Sequence, residues 1–170
     1  MFGFLKRLFA GKPVSSFEGA RRQHQRVNAR SGMRVLVVDD STTIVATLRR
    51  MLEQNGYEVV EALNGEKGVE VATADPPDLI FLDIILPGIN GFAALRQLRR
   101  NAVTREVPVI MMSGNEQATE QFYAQRIGAD DFMKKPFSRA EVFSRIEKLL
   151  DISLMPRRRQ HVAADARSTA

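Results

Sequence analysis

Apolar residues in this chain fall into short blocks of two alternating kinds. RVLVV (34–38) is a compact β-branched run; beyond Asp39-Asp40, Ile44, Leu48, Met51 and Leu52 recur at helical spacing behind a capping residue, Ser41. The first block predicts a strand and the second a helix. Asn55-Gly56 closes that helix, YEVV (57–60) predicts a second strand, and Asn64-Gly65 opens a helix through Val69 and Ala72. After Pro76-Pro77, DLIFL (78–82) is apolar on both faces, as a central strand of a helix-covered parallel sheet requires. A Pro-Gly turn leads to a helix over 91–101 with Phe92, Leu95 and Leu98 on one face. The strand VPVIMM (107–112), a helix over 116–127, the short strand ADDFM (129–133) and a Ser138-capped helix with Val142, Ile146, Leu149 and Leu150 inward complete the pattern.

Strict alternation of five strands with five helices predicts an α/β fold, a doubly wound five-stranded parallel sheet with helices on both faces, because each parallel connection needs a right-handed crossover. The pattern divides the chain into an N-terminal extension (1–32), a folded domain (33–152) and a tail (153–170). Residues 10–32 mix Gly, Ser and Arg without apolar periodicity and read as linker; the tail is polar and is expected to be disordered.

Composition narrows the picture. With 170 residues and 44% hydrophobic content, one core is expected. There is no cysteine, which excludes disulfides and thiolate metal sites. The apolar runs stop well short of the ~18 residues a membrane span needs, and MFGFLKRLFAGKP is a poor secretory signal, so a cytoplasmic protein is expected. The net charge of +5 is unevenly spread: residues 1–32 hold seven Lys/Arg and one acid, 33–152 fourteen and eighteen, and 153–170 four and one. The basicity belongs to the extensions and the domain is acidic, which weakens a nucleic-acid reading. Arg157-Arg158-Arg159 reads as a solvated run.

Ligands of an open parallel sheet bind beyond the carboxyl ends of its strands. There stand Asp39 and Asp40 after the first strand, Asp83 after the third, Ser113-Gly114 after the fourth and Lys134-Lys135-Pro136 after the fifth. Singly, these also read as a helix cap, a turn, a loop and a solvated end. Together they are harder to dismiss, since carboxylates about 4 Å apart repel by about 4 kcal/mol at an effective dielectric of 20 and need a cation between them. Oxygen ligands favour Mg²⁺, and the two histidines, His24 and His161, both lie in the extensions. A phosphoryl group beside Mg²⁺ could be met by Lys135 and the Ser113 hydroxyl.

The motifs VLVVDDS (35–41), LIFLDIILPGINGF (79–92), VIMMSG (109–114) and GADDFMKKPF (128–137) stand in order at the strand ends, and through them the chain resembles the receiver domain of bacterial two-component response regulators. The resemblance implies the flavodoxin-like strand order 2-1-3-4-5. It implies Asp83 as phosphoacceptor, taking a phosphoryl group from a histidine kinase or histidine phosphotransfer protein. Asp39, Asp40, Asp83 and the backbone carbonyl of Ile85 would hold Mg²⁺. Ser113 and Lys135 would bind the phosphoryl oxygens, Phe132 would occupy the aromatic switch position, and Lys135-Pro136 would be a cis peptide. Phe132 stands where some members have tyrosine, so no switch can use a hydroxyl there. Ile85 is apolar where some fast-hydrolysing members are polar.

The resemblance is to stand-alone members of the chemotaxis and twitching-motility type, a signalling protein that assists its own phosphorylation and slow dephosphorylation rather than an enzyme acting on other substrates. Output is expected through reversible protein binding on the face formed by the fourth helix, fifth strand and fifth helix, without specific DNA binding. In residues 1–12, Phe2, Leu5, Leu8 and Phe9 lie at helical spacing apart from Lys6, Arg7 and Lys12, which suits a basic amphipathic helix docking on an inner-membrane surface or in a partner groove. Rival readings fit less well. An aspartyl phosphatase usually has an acid two residues beyond its nucleophile, where Ser41 follows Asp39, and a flavin phosphate would be repelled by Asp39-Asp40.

Overall fold

The computed structural model describes residues 27–114 and 118–159. Among the described residues ten elements alternate: β1 (Arg34–Val38), α1 (Thr42–Glu53), β2 (Glu58–Ala62), α2 (Gly65–Ala74), β3 (Leu79–Asp83), α3 (Gly91–Arg100), β4 (Val109–Ser113), α4 (Ala118–Arg126), β5 (Asp131–Lys134) and α5 (Arg139–Glu147). All strand pairs are parallel and the sheet order is β2-β1-β3-β4-β5, as expected.

Successive strand residues point to opposite faces, so the central strands must be apolar on both. Val35, Val37, Phe81, Ile110 and Met112 face α1 and α5, where Val45, Leu48, Leu52, Val142, Phe143 and Ile146 meet them. Leu36, Val38, Ile80, Leu82 and Met111 face the other layer, built on Ala72, Ala94, Leu95, Leu98 and Ala124. All of β3 and β4 is buried, whereas the edge strand β2 buries only Ala62. Side chains fix four helix starts: Ser41, Asn64, Asn90 and Ser138 each accept a backbone N–H three residues on, at 2.7–3.4 Å.

Most strands are displaced from the sequence pattern toward their carboxyl ends. Tyr57 belongs to the turn, its N–H bonded back to the Leu52 carbonyl, and β2 runs on to Ala62. Pro108 has no N–H to give the ladder, so β4 starts at Val109. Asp83 pairs with Met112 inside the β3–β4 ladder, and Ser113 pairs with Lys134. The polar residues expected just after the strands therefore close them, because ladder bonds are made by backbone and are indifferent to side-chain polarity.

Both inner ends of the extensions are packed, contrary to the linker and disordered-tail expectations. Ala29 is buried and its N–H donates to Tyr57 Oη at 3.0 Å, while burial pushes the Tyr57 pKa up. Arg30 N–H donates to the Leu154 carbonyl at 3.0 Å, and Gly32 N–H to the Gly56 carbonyl at 2.8 Å. Gly32 and Gly56 both take φ of +79°, a conformation that costs side-chain-bearing residues energy. Asp151 gathers the C-terminal turn by accepting from Ser153 N, Met155 N and Arg157 Nε, and the Arg157 bond holds its carboxyl below the usual range.

The arginine run is likewise not simply solvated. Arg158 Nε lies 3.3 Å from Asp130 Oδ1, and Arg159 N–H donates to the same oxygen at 3.0 Å. A buried acid supplies the partner that composition alone could not reveal. The strap from Asp151 to Arg159 and the segment from Val27 to Met33 thus lie together at the pole where the strands begin. Residues 1–12, with their amphipathic pattern, fall outside the described residues. Among those described, no helix is long and apolar enough to cross a membrane.

Candidate functional site

Four strands deliver the site from the opposite pole. Asp39 follows β1 and is fully buried; its N–H donates to the Ala62 carbonyl at 3.1 Å, and its Oδ1 accepts from Ser41 N at 2.9 Å. This turn leaves Asp40 exposed beside it. Asp83, at the end of β3, is 4% exposed. Behind it, Gly91 N–H donates to the Ile84 carbonyl at 2.9 Å, and any Cβ at Gly91 would overlap the Asp83 carbonyl oxygen. Only glycine lets α3 begin this close to the acid.

Lys135 enters from the far side. Its N–H donates to the Ser113 carbonyl at 2.7 Å, tying β5 to the end of β4, and the Lys135–Pro136 peptide is cis. Its Nζ lies 2.6 Å from Asp39 Oδ2 and 3.0 Å from Asp83 Oδ1. The Asp39 contact is an ion pair without hydrogen-bond alignment, since Oδ2 is buried with no aligned donor. Burial, joined by the negative charge of Asp39, pushes the Asp83 pKa up to about 6 despite the opposing effect of Lys135. Burial alone would lower Lys135, but Asp39 and Asp83 outweigh it and raise its pKa.

Magnitudes explain how the fold carries this strain. A two-unit shift corresponds to about 3 kcal/mol, whereas the four fully packed apolar residues of β3 contribute about 1.5–3 kcal/mol each. The strand keeps its acid because its neighbours more than offset it.

Asp39, Asp40 and Asp83 each place one carboxylate oxygen within 4.8 Å of the others. That is slightly wider than the ~4 Å spanned by ligands on opposite sides of an ion held at 2.0–2.1 Å, so small side-chain rotations would seat one. Three carboxylates against one ammonium leave a charge of −2 when all are ionised. Oxygen-only donors, that charge and an unaligned buried oxygen fit a hard divalent cation, Mg²⁺ above all.

Around this centre, Ser113 is fully buried and donates its hydroxyl to Glu120 Oε2 at 2.7 Å. Phe132 is 8% exposed and packed in the core layer shared with α4. Ile85, two residues beyond Asp83, is 61% exposed. The structure thus brings Asp39, Asp40, Asp83 and Lys135 together, with Ser113 at the adjoining strand end. Glu120 was not legible as a site residue, since nothing in a lone acid seven positions after Ser113 distinguishes it from helix surface.

Residues 35–147 match the response regulator receiver domain family. Protein PilH of Pseudomonas aeruginosa is 40% identical over 117 residues, covering 69% of this chain and 97% of PilH. The chain spans about half the length of the transcriptional regulators it also matches. Among solved structures, the Vibrio cholerae chemotaxis protein CheY4 superposes with a TM-score of 0.67 at 25% identity, covering 71% of this chain and 100% of that one. The receiver domain of a sensor histidine kinase from Pseudomonas aeruginosa, with a magnesium ion coordinated in its active-site cleft, superposes with a TM-score of 0.63 at 30% identity, covering 69% of this chain and 96% of that one. With the strand order, the acidic cluster and the family match in agreement, the chain belongs to the response regulator receiver domain family of two-component signalling proteins.

Proposed function

We propose that Asp83 accepts a phosphoryl group from a phosphohistidine on a histidine kinase or phosphotransfer protein, and that the domain reports this change by binding a protein partner. The observation that carries the reading is a buried carboxylate at a strand end, 3.0 Å from an ammonium and clustered with two further acids. In the reaction an Asp83 oxygen forms the new P–O bond as the P–N bond breaks. The electron pair stays on the departing imidazole nitrogen, and the phosphoryl group becomes an acyl phosphate.

Lys135 is placed to pair with a phosphoryl oxygen where it now meets Asp83, and the Ser113 hydroxyl can donate to another. Asp39, Asp40, Asp83 and the Ile85 carbonyl would hold Mg²⁺, which supplies charge neutralisation for the transferring group. Output through α4, β5 and α5 is supported by the exposure of Phe122 and Tyr123 on α4. Tyr123 is steadied from α3 by edge-to-face contact with Phe92 at 5.0 Å and by a hydrogen bond from Arg96. Exposed apolar surface in a domain whose charge changes on phosphorylation suits a switchable partner.

The test is incubation of the full chain with Mg²⁺ and phosphoramidate. A hydroxylamine-sensitive phosphate should appear on the wild type and be absent from Asp83→Asn; an unlabelled wild type rejects the proposal. Ile85 sharpens it. An apolar side chain exposed this close to Asp83 can exclude hydrolytic water, so Ile85→Asn should lose its phosphate severalfold faster than wild type. Equal lifetimes would assign Ile85 no shielding role.

A further inference from the structure

We infer that Glu120 is a latch on Ser113, competing with the phosphorylated Asp83 for the single proton of the serine hydroxyl; the inference rests on the phosphoacceptor reading above. A hydroxyl has one O–H to give. Here it goes to Glu120 Oε2 at 2.7 Å, a charge-assisted bond stronger than a neutral one. While Glu120 holds it, that proton is withheld from a phosphoryl oxygen on Asp83.

The backbone of Ser113 is fixed by its pairing with Lys134 and by the Lys135 N–H on its carbonyl, and its side chain is fully buried. Rotation about χ1 is therefore the low-cost way to change partner. The helix carrying the latch is lightly anchored. Among the described side chains of α4, only Ala124 is buried, while Phe122 is 61% and Tyr123 40% exposed. With so little apolar burial on α4, a tie from its first turn to the end of β4 weighs heavily. When Ser113 turns to the phosphoryl group, Glu120 loses its donor and faces added negative charge. The first turn of α4, which leads into Phe122 and Tyr123, is then released. Glu120 is thus a positioning residue, acting through Ser113 rather than on the phosphoryl group.

The test is the rate of labelling by phosphoramidate with Mg²⁺ for wild type, Glu120→Ala, Glu120→Gln, Ser113→Ala and the Ser113→Ala/Glu120→Ala pair. Losing a charge-assisted bond should raise the Glu120→Ala rate about ten- to a hundredfold. Glu120→Gln, which keeps an acceptor oxygen without the charge, should fall between. With Ser113 replaced by alanine, the Glu120→Ala change should have no effect. Equal rates for Glu120→Ala and wild type overturn the latch, as does an equal Glu120→Ala effect with and without Ser113. Should Glu120→Ala fail to fold, Glu120→Gln decides in its place, and a wild-type rate overturns the latch. A wild type labelled on Asp83 with no response at Glu120 removes the latch alone; an unlabelled wild type removes the phosphoacceptor reading and the latch with it.

Discussion

Asp130→Ala is expected to destabilise the domain by about 3–5 kcal/mol, the penalty for breaking a buried ion pair and leaving its partner charge behind. Asp130 precedes β5 and its side chain is fully buried. Its Oδ2 accepts from Arg99 Nη2 at 2.8 Å and from Val109 N at 2.9 Å, while Oδ1 faces Arg158 Nε and accepts from Arg159 N. Burial, joined by the charge of Arg158, lowers the Arg99 pKa to about 10 against the opposing pull of Asp130. Removing the carboxylate would set two guanidiniums against each other and orphan the Val109 N–H at the start of β4.

Arg158→Ala should be far milder, about 1 kcal/mol, because Arg158 is 23% exposed and Arg99 continues to satisfy the acid. Urea unfolding at neutral pH measures both. A loss below about 1 kcal/mol for Asp130→Ala would mean that the arginines reach water without cost, and the buried-triad account would fail.

Asp83→Asn should stabilise the metal-free protein even as it removes the proposed phosphoacceptor. The folded pKa of Asp83, about 6, lies above its ordinary value of 3.8. Between these values the folded state retains a proton that the unfolded state has released. The wild type therefore loses stability as pH rises through that window, and the loss is complete above it. Asparagine has no such proton. At pH 7.5 in EDTA the variant should be more stable by about 1–2 kcal/mol, less than the full ~3 kcal/mol of a two-unit shift because Lys135 loses one of its two partners. Urea midpoints at pH 4, 5, 6 and 7.5 should show the two proteins diverging between pH 4 and 6. Parallel profiles would mean that Asp83 is not strained in the folded state.

The sheet was readable because its signal is local: two-faced apolar blocks at β1, β3 and β4 alternate with helices whose caps, Ser41, Asn64 and Ser138, are visible as residue types. The strand ends were not, since backbone pairing carries Asp83 and Ser113 into the ladder whatever their side chains prefer. The sequence pattern placed Asp39, Asp40, Asp83 and Lys135 at one end of one sheet, and the structure puts their charged atoms within reach of one another. Long-range polar partners lay beyond local pattern. Arg158 with Asp130 is separated by 28 positions, and Glu120 meets Ser113 only through the placement of α4. Ala29 looked like linker because a single alanine gives no periodicity, yet Tyr57 buries and bonds it.

The meeting of Arg30 with Leu154 has a practical geometric consequence. Parallel strands all run from one pole to the other, so Val27 and Arg159 lie on the side facing away from Asp83. A fluorescent protein, an affinity tag or a surface tether joined there becomes a handle, and the mouth of the acidic cluster stays open.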